Sequence, residues 1–213
     1  MSRLQRLLQD YEGLLRASGS AEPDSMVPGL EPGRVRDVLR AAGLAAPGEI
    51  VDWFSWCNGE ARLEEDGFGR FTLAPTSLAP VSLEASLERY RREELEEARS
   101  NAGDWGQSPQ NDPEYWWPSS WVVIARMKQF LLVADTKSPD GTHCAVLHVT
   151  LQEGWPAGTS IEAVVAYWVA SLRAGCATWD HHAGRWIPEP TRSPRWPPPE
   201  PGLSPPLVGV PPA

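Results

Sequence analysis

The stretch from Trp121 to Val149, WVVIARMKQFLLVADTKSPDGTHCAVLHV, carries three apolar, β-branched runs in succession with turn residues between them. Trp121 to Ala125, Phe130 to Ala134 and Cys144 to Val149 each have strand length and strand composition. Arg126-Met127-Lys128-Gln129 supplies a short connection and Pro139-Asp140-Gly141 a turn, so the segment predicts an antiparallel meander. The first two runs are apolar at nearly every position, which predicts burial on both faces. Helices are expected on one side of this sheet, and chain or loops on the other.

A chain of 213 residues is long enough for one domain with a full core, burying about two-thirds of its unfolded surface without disulfide or metal staples. Cys57, Cys144 and Cys176 are odd in number, lack a Cys-x-x-Cys spacing and sit in apolar surroundings, which predicts buried free thiols in a reducing compartment. Acids outnumber Lys and Arg by 28 to 19, a net charge of -9, which argues against nucleic acid as a partner and favours a basic one. Arg3, Gln5, Arg6, Gln9 and Asp10 interrupt the first residues too often for a signal peptide. No run is long enough to span a bilayer, and a cytoplasmic, membrane-free protein is expected.

Working outward toward the N-terminus, Leu4, Leu7, Leu8, Tyr11, Leu14 and Leu15 recur at helical spacing and predict a helix ending near Ala17 to Gly19. A second helix is expected from Pro32 to Ala42, with Val35, Val38 and Leu39 on its buried face and Gly43 at its stop. A third starts at Pro47 and buries Ile50, Trp53, Phe54 and Cys57. Asn58-Gly59 is read as its left-handed close. A strand is expected at Arg70 to Ala74, then a charged surface helix from Ser82 to Ser100 with Leu83, Leu87 and Tyr90 as a narrow apolar stripe. In the polar segment Asn101 to Ser120, Trp105, Tyr115, Trp116 and Trp117 are expected to cover a face or edge of the sheet.

Toward the C-terminus, Thr159-Ser160-Ile161-Glu162 reads as a capping box opening an amphipathic helix built on Ile161, Val164, Val165, Trp168, Val169 and Leu172. Ala177-Thr178-Trp179 and Arg185-Trp186-Ile187 are expected to pair as a hairpin. Half of the 22 prolines lie from Pro188 onward, so the expected organisation is one domain over residues 1–187 and a disordered, proline-rich tail over 188–213. The expected class is α+β, a single domain with a predominantly antiparallel sheet flanked by helices. Arg195-Trp196-Pro197-Pro198-Pro199 is in form a polyproline ligand.

Chemistry is sparsely marked. Asp180-His181-His182 is the one cluster of metal-ligand type, but adjacent histidines at a hairpin tip point in different directions and zinc spacings are absent, so no metal and no cofactor is expected. His143 beside Cys144 could suggest a thiol nucleophile, except that strand neighbours face opposite sides. There is no nucleophile elbow, phosphate loop or dinucleotide-binding glycine pattern, and no catalytic residue is assigned. Asp135, at a strand end, is expected to accept backbone N–H bonds of the turn that follows rather than to act as an acid or base.

The order of these features resembles the SUKH superfamily, which includes yeast cell-wall-assembly regulators and bacterial toxin-immunity proteins. Pro47-Gly48-Glu49-Ile50-Val51-Asp52-Trp53-Phe54 leading to Asn58-Gly59 is similar to that family's proline-started helix and its Asn-Gly. Trp121 to Ala125, Leu131 to Asp135, and Gly141 before Val146 are similar to its Trp strand, its strand ending in Asp, and its glycine before a third strand. The resemblance spans about Arg34 to Leu172 and departs at Arg126 to Gln129, where glycines are common, and in the Asn101 to Ser120 insert. It implies structural roles for Trp53, Asn58, Gly59, Trp121, Asp135 and Gly141, and a non-enzymatic binding protein, an immunity protein whose partner is a basic toxin domain. Glu64, Glu65, Asp66, Glu93, Glu94, Glu96 and Glu97 concentrate acid as a partner-binding surface would, although a solvated helix face has the same composition. A regulatory scaffold docking partners through the proline tail, and a hydrolase using Asp135 with His143 or His148, are the alternatives.

Overall fold

The computed structural model describes residues 1–20, 22–60, 73–76, 78–90, 92, 96, 117–127, 130–149, 154–183 and 185–189. Helix α1 (Arg3–Ala17) leads through a 3-10 turn (Glu22–Ser25) and strand β1 (Met26–Pro28) to α2 (Pro32–Ala41), α3 (Gly48–Trp56) and β2 (Cys57–Glu60). Strand β3 (Ala79–Pro80) precedes a short helix α4 (Leu83–Ala85) that runs into a π-helical turn (Ser86–Tyr90). The meander β4 (Trp121–Met127), β5 (Phe130–Asp135), β6 (Val146–Val149) and β7 (Gly154–Gly158) is followed by α5 (Ile161–Arg173) and the hairpin β8 (Ala177–Asp180) and β9 (Arg185–Pro188). The fold is α+β, as expected.

The central sheet has the order β3-β4-β5-β6-β7 and every pair is antiparallel. Its two edges are the strands that carry proline, Pro80 and Pro156, and a proline at an edge removes a donor that could recruit a further strand. Both faces are buried. Val122, Ile124, Leu132, Ala134 and Val146 join the helices in one core, while Trp121, Val123, Leu131, Val133, Leu147 and Val149 form a second with Trp117, Ala79 and Val81. The register shifts between Val123 and Ala125, which places Ile124 and Ala125 together on the helix side.

On that side α1 buries Leu4, Leu8, Tyr11 and Leu15, the i, i+4 stripe anticipated from spacing, and each such leucine stabilises by roughly 1.5–3 kcal/mol. Arg3 meets Glu162 at 3.2 Å and Asp10 meets Arg173 at 3.2 Å, so α1 and α5 lie side by side and run in the same direction. Between them Tyr11, Trp53, Trp56 and Trp168 form a ring cluster with centroid separations of 5.4–6.2 Å. On the opposite face Trp117 stacks edge-on against Trp121 at 5.3 Å, so one aromatic of the insert covers the sheet as expected. Trp105, Tyr115 and Trp116 lie outside the described residues.

Several boundaries differ from expectation for local reasons. β4 continues to Met127, consuming half of the anticipated connection, and β6 begins only at Val146 because Cys144 is held by a side chain from another element. Leu73 and Ala74 are not in a strand, and the rest of the strand expected from Arg70 lies outside the described residues. The α5 N-cap is Ser160, whose hydroxyl accepts from the Ala163 amide at 2.9 Å, so the box is shifted by one from Thr159 and Glu162 does not close it. β9 runs to Pro188, and the Glu189 amide donates to the Cys176 carbonyl at 2.8 Å, two residues past the expected domain limit. Beyond Glu189 the proline-rich segment lies outside the described residues.

Asn58-Gly59 does not close α3. The helix ends with Cys57 extended, φ -146°, and the chain enters β2 directly. Asn58 instead accepts from the Leu83 amide at 2.9 Å and donates to Glu84 at 3.3 Å, so it serves the first turn of α4, 25 residues downstream. Gly59 has φ +95° where a side chain would meet the Ser82 backbone at 2.7 Å.

Candidate functional site

Helix α3 is the hub of the helical side, and two of its acids, Glu49 and Asp52, stand one turn apart. An acid in a first turn ordinarily complements its own helix dipole. Here both side chains reach away to the N-termini of other helices. Asp52 accepts from the Ser2 hydroxyl at 2.6 Å and from the Gln5 side-chain amide at 2.8 Å, gripping the capping box of α1. Glu49 grips α5.

Glu49 is 4% exposed and is among the few charged side chains buried in the described residues. Its Oε2 accepts from the Cys144 amide at 2.7 Å and the Ile161 amide at 3.1 Å, and its Oε1 accepts from the Glu162 amide at 3.0 Å. Ser160 takes the Ala163 amide, so the three amides that open α5 and have no partner within it are all satisfied, two of them by a carboxylate 112 and 113 residues away. The Glu49 amide in turn donates to the Thr142 carbonyl at 3.0 Å. Charge-assisted bonds of this kind are about twice as strong as neutral ones, which makes burial of the carboxylate tolerable.

His143 closes the outer side of this clasp. Its side chain is 51% exposed, its Nδ1 lies 3.3 Å from Glu49 Oε1, and its Nε2 lies 3.7 Å from Asp140 Oδ2. A carboxylate oxygen only accepts, so Nδ1 is the donor. The contact with Glu49 raises the imidazole above its ordinary value, against a smaller opposing effect of burial. Asp140 accepts from the His143 and Thr142 amides and from the Ser138 hydroxyl, and these donors hold its carboxyl down to about 2.

Asp135 behaves as its strand-end position suggests. Its Oδ1 accepts from the Lys137 amide at 2.9 Å, and Thr136 ties the same strand end to the Ser120 carbonyl through its amide and hydroxyl. Asp180 accepts from the His182 and Ala183 amides at the hairpin tip, and those bonds lower its carboxyl. His148 is held below its ordinary value by burial. The three cysteines are free and buried, with burial pushing the Cys57 thiol up to about 12 and Cys144 further in the same direction. Cys144 and His143 lie before β6 rather than on it, and it is Glu49 that the histidine faces. Among the described residues no group of three His, Cys, Asp or Glu side chains is placed to hold a metal ion.

Of the residues singled out from sequence, Trp53 and Trp121 are buried in the two cores, Gly141 has φ +68° in an open turn, and Glu96 is exposed. Glu64, Glu65, Asp66, Glu93, Glu94 and Glu97 lie outside the described residues. Glu49 and Asp52 escaped the sequence reading as individual residues. The one local signal was an acid pair at i, i+3 opening a proline-started helix, and nothing in that spacing names recipients so far along the chain. No helix among the described residues is long and apolar enough to cross a membrane. No family model matches the chain, and neither does any curated protein.

Proposed function

We propose that this protein is a cytoplasmic, non-enzymatic binding protein of SUKH type, an immunity protein that neutralises a basic toxin domain by direct contact. The observation that carries the reading is the employment of its reactive groups. Glu49, Asp135, Asp140 and Asp180 each accept backbone N–H bonds of turns or helix starts, and Cys57 and Cys144 are buried with raised thiols. Groups committed in this way hold a scaffold in shape, and a scaffold acts through its surface. That surface has a surplus of acid, net -9, which speeds encounter with a basic partner. The sequence resemblance to the SUKH superfamily supports the choice of partner class, since nucleic-acid-degrading toxins are basic where they bind phosphate.

The test begins with the product of the neighbouring reading frame, prepared as an inactive variant and titrated with the full chain. Saturable binding, together with protection of cells expressing the active form, is the expected result; absence of both overturns the reading. Reversing Glu93, Glu94, Glu96 and Glu97 to Lys is expected to leave the fold intact, slow association and flatten its salt dependence. An unchanged association rate at low salt would remove these four acids as the docking face.

A further inference from the structure

We propose that His143 is a pH-sensitive latch on the Glu49 clasp: in its protonated form it fastens the 140–143 loop to the N-termini of α3 and α5, and loss of the proton loosens that loop without unfolding the protein. The inference does not depend on the binding partner proposed above.

The geometry places three elements on one carboxylate. Glu49 belongs to the first turn of α3, Cys144 follows the loop, and Ile161 and Glu162 open α5. The inner contacts are amides, which do not titrate. The outer one is an imidazole half open to solvent, so a proton can come and go there while the rest of the clasp stays closed. The charges facing His143 are of one sign on each element that meets it: Glu49 from α3, Asp140 from its own loop, and Glu162 from α5, the last also bound by Arg3 of α1 at 3.2 Å. All three acids favour the imidazolium, and Arg3 offsets part of Glu162.

A histidine whose proton is held more tightly in the folded chain than in the unfolded one contributes its stability fully below the unfolded value, ordinarily 6.5. That contribution fades as pH rises through the folded value. His148, half-buried on β6, acts in the opposite sense, since partial burial disfavours its charged form. Comparing two proteins that share His148 removes its contribution.

The experiment uses the full chain and His143→Gln, which keeps a side-chain donor but cannot titrate. The His143 ring is followed by NMR across pH, and hydrogen exchange at the Cys144, Thr142 and Glu162 amides is compared between the two proteins at matched pH below and above the ring's midpoint. Matching pH cancels the intrinsic base catalysis of exchange. The expected result is a ring that titrates above 6.5, amides that exchange several-fold faster in the variant at the lower pH, and equal rates at the higher one. A ring titrating at or below that value, equal exchange at both pH values, or a difference that does not change with pH would each overturn the proposal. Should His143→Gln fail to fold, Asp140→Asn in its place is expected to lower the ring midpoint, and an unmoved midpoint would count against the latch.

Discussion

Glu49 illustrates how much one side chain can organise when it is buried with its partners already in place. Replacing it by Gln keeps the shape but removes the charge and turns an amide group toward N–H donors, so about 2–4 kcal/mol of stability is expected to be lost, readable as a lower denaturant midpoint. Asp52→Asn leaves more solvent access and is expected to cost only about 1 kcal/mol in the same measurement. Equal costs would mean that burial of the clasp is not what distinguishes the two acids. Asp140 sets an acid limit instead. Its carboxyl is held well below the ordinary 3.8, so its contribution is present above that value and lost as pH falls toward about 2. Asp140→Asn should therefore narrow the gap between stabilities measured at pH 5 and pH 2, and an unchanged gap would show that its turn bonds carry no weight.

At the scale of elements, the structure assigns loops a job that their composition conceals. Gly59 and Gly141 are both glycines at positive φ after a turn-like residue, yet one packs against the Ser82 backbone and the other faces open space. Gly141→Ala is expected to cost about 1 kcal/mol from conformation alone, whereas Gly59→Ala adds overpacking and should cost about 3 kcal/mol in thermal unfolding. If the order is reversed, the junction between β2 and α4 is not the constrained one. Gly29 belongs with Gly59, because a Cβ there would overlap the carbonyl of Ser55 where the chain passes the end of α3. The α5 N-terminus makes the same point with different chemistry. Its own Ser160 satisfies part of the helix start, and α3 supplies the rest.

For the molecule as a whole, the sheet is the wall between two cores, and on its helix side two carboxylates of α3 fasten the starts of α1 and α5 to that helix. The terminal hairpin belongs to this body, since Trp186 packs against the helix-side core and Cys176 and Ala177 are buried, while the Glu189 amide closes the hairpin onto Cys176. A chain ending after Glu189 keeps every described contact and is expected to melt with the full protein. One ending at Ile187 removes the last strand residue and the Glu189 bond, and should melt lower. If truncation after Glu189 itself causes a large drop, residues beyond it stabilise the domain. The acidic surface belongs to the same scale, because steering acts through the summed field rather than through one pair.

Legible in the sequence alone were the features written in local periodicity: the amphipathic stripes of α1, α2, α3 and α5, the three meander runs with the first two buried on both faces, and the hairpin after Gly175. Each needs only neighbours within a few residues, since burial on one face repeats with the geometry of the element. Strands β1, β2, β3 and β7 left no such trace: at two to five residues, and with proline or glycine in each of them, they exist because a partner strand is present. The true role of Asn58-Gly59 and the clasp on Glu49 were likewise decided only in three dimensions. A carboxylate accepts whichever N–H groups folding brings to it, and here those groups come from residues 95 to 113 positions away, a distance over which no periodic pattern carries information.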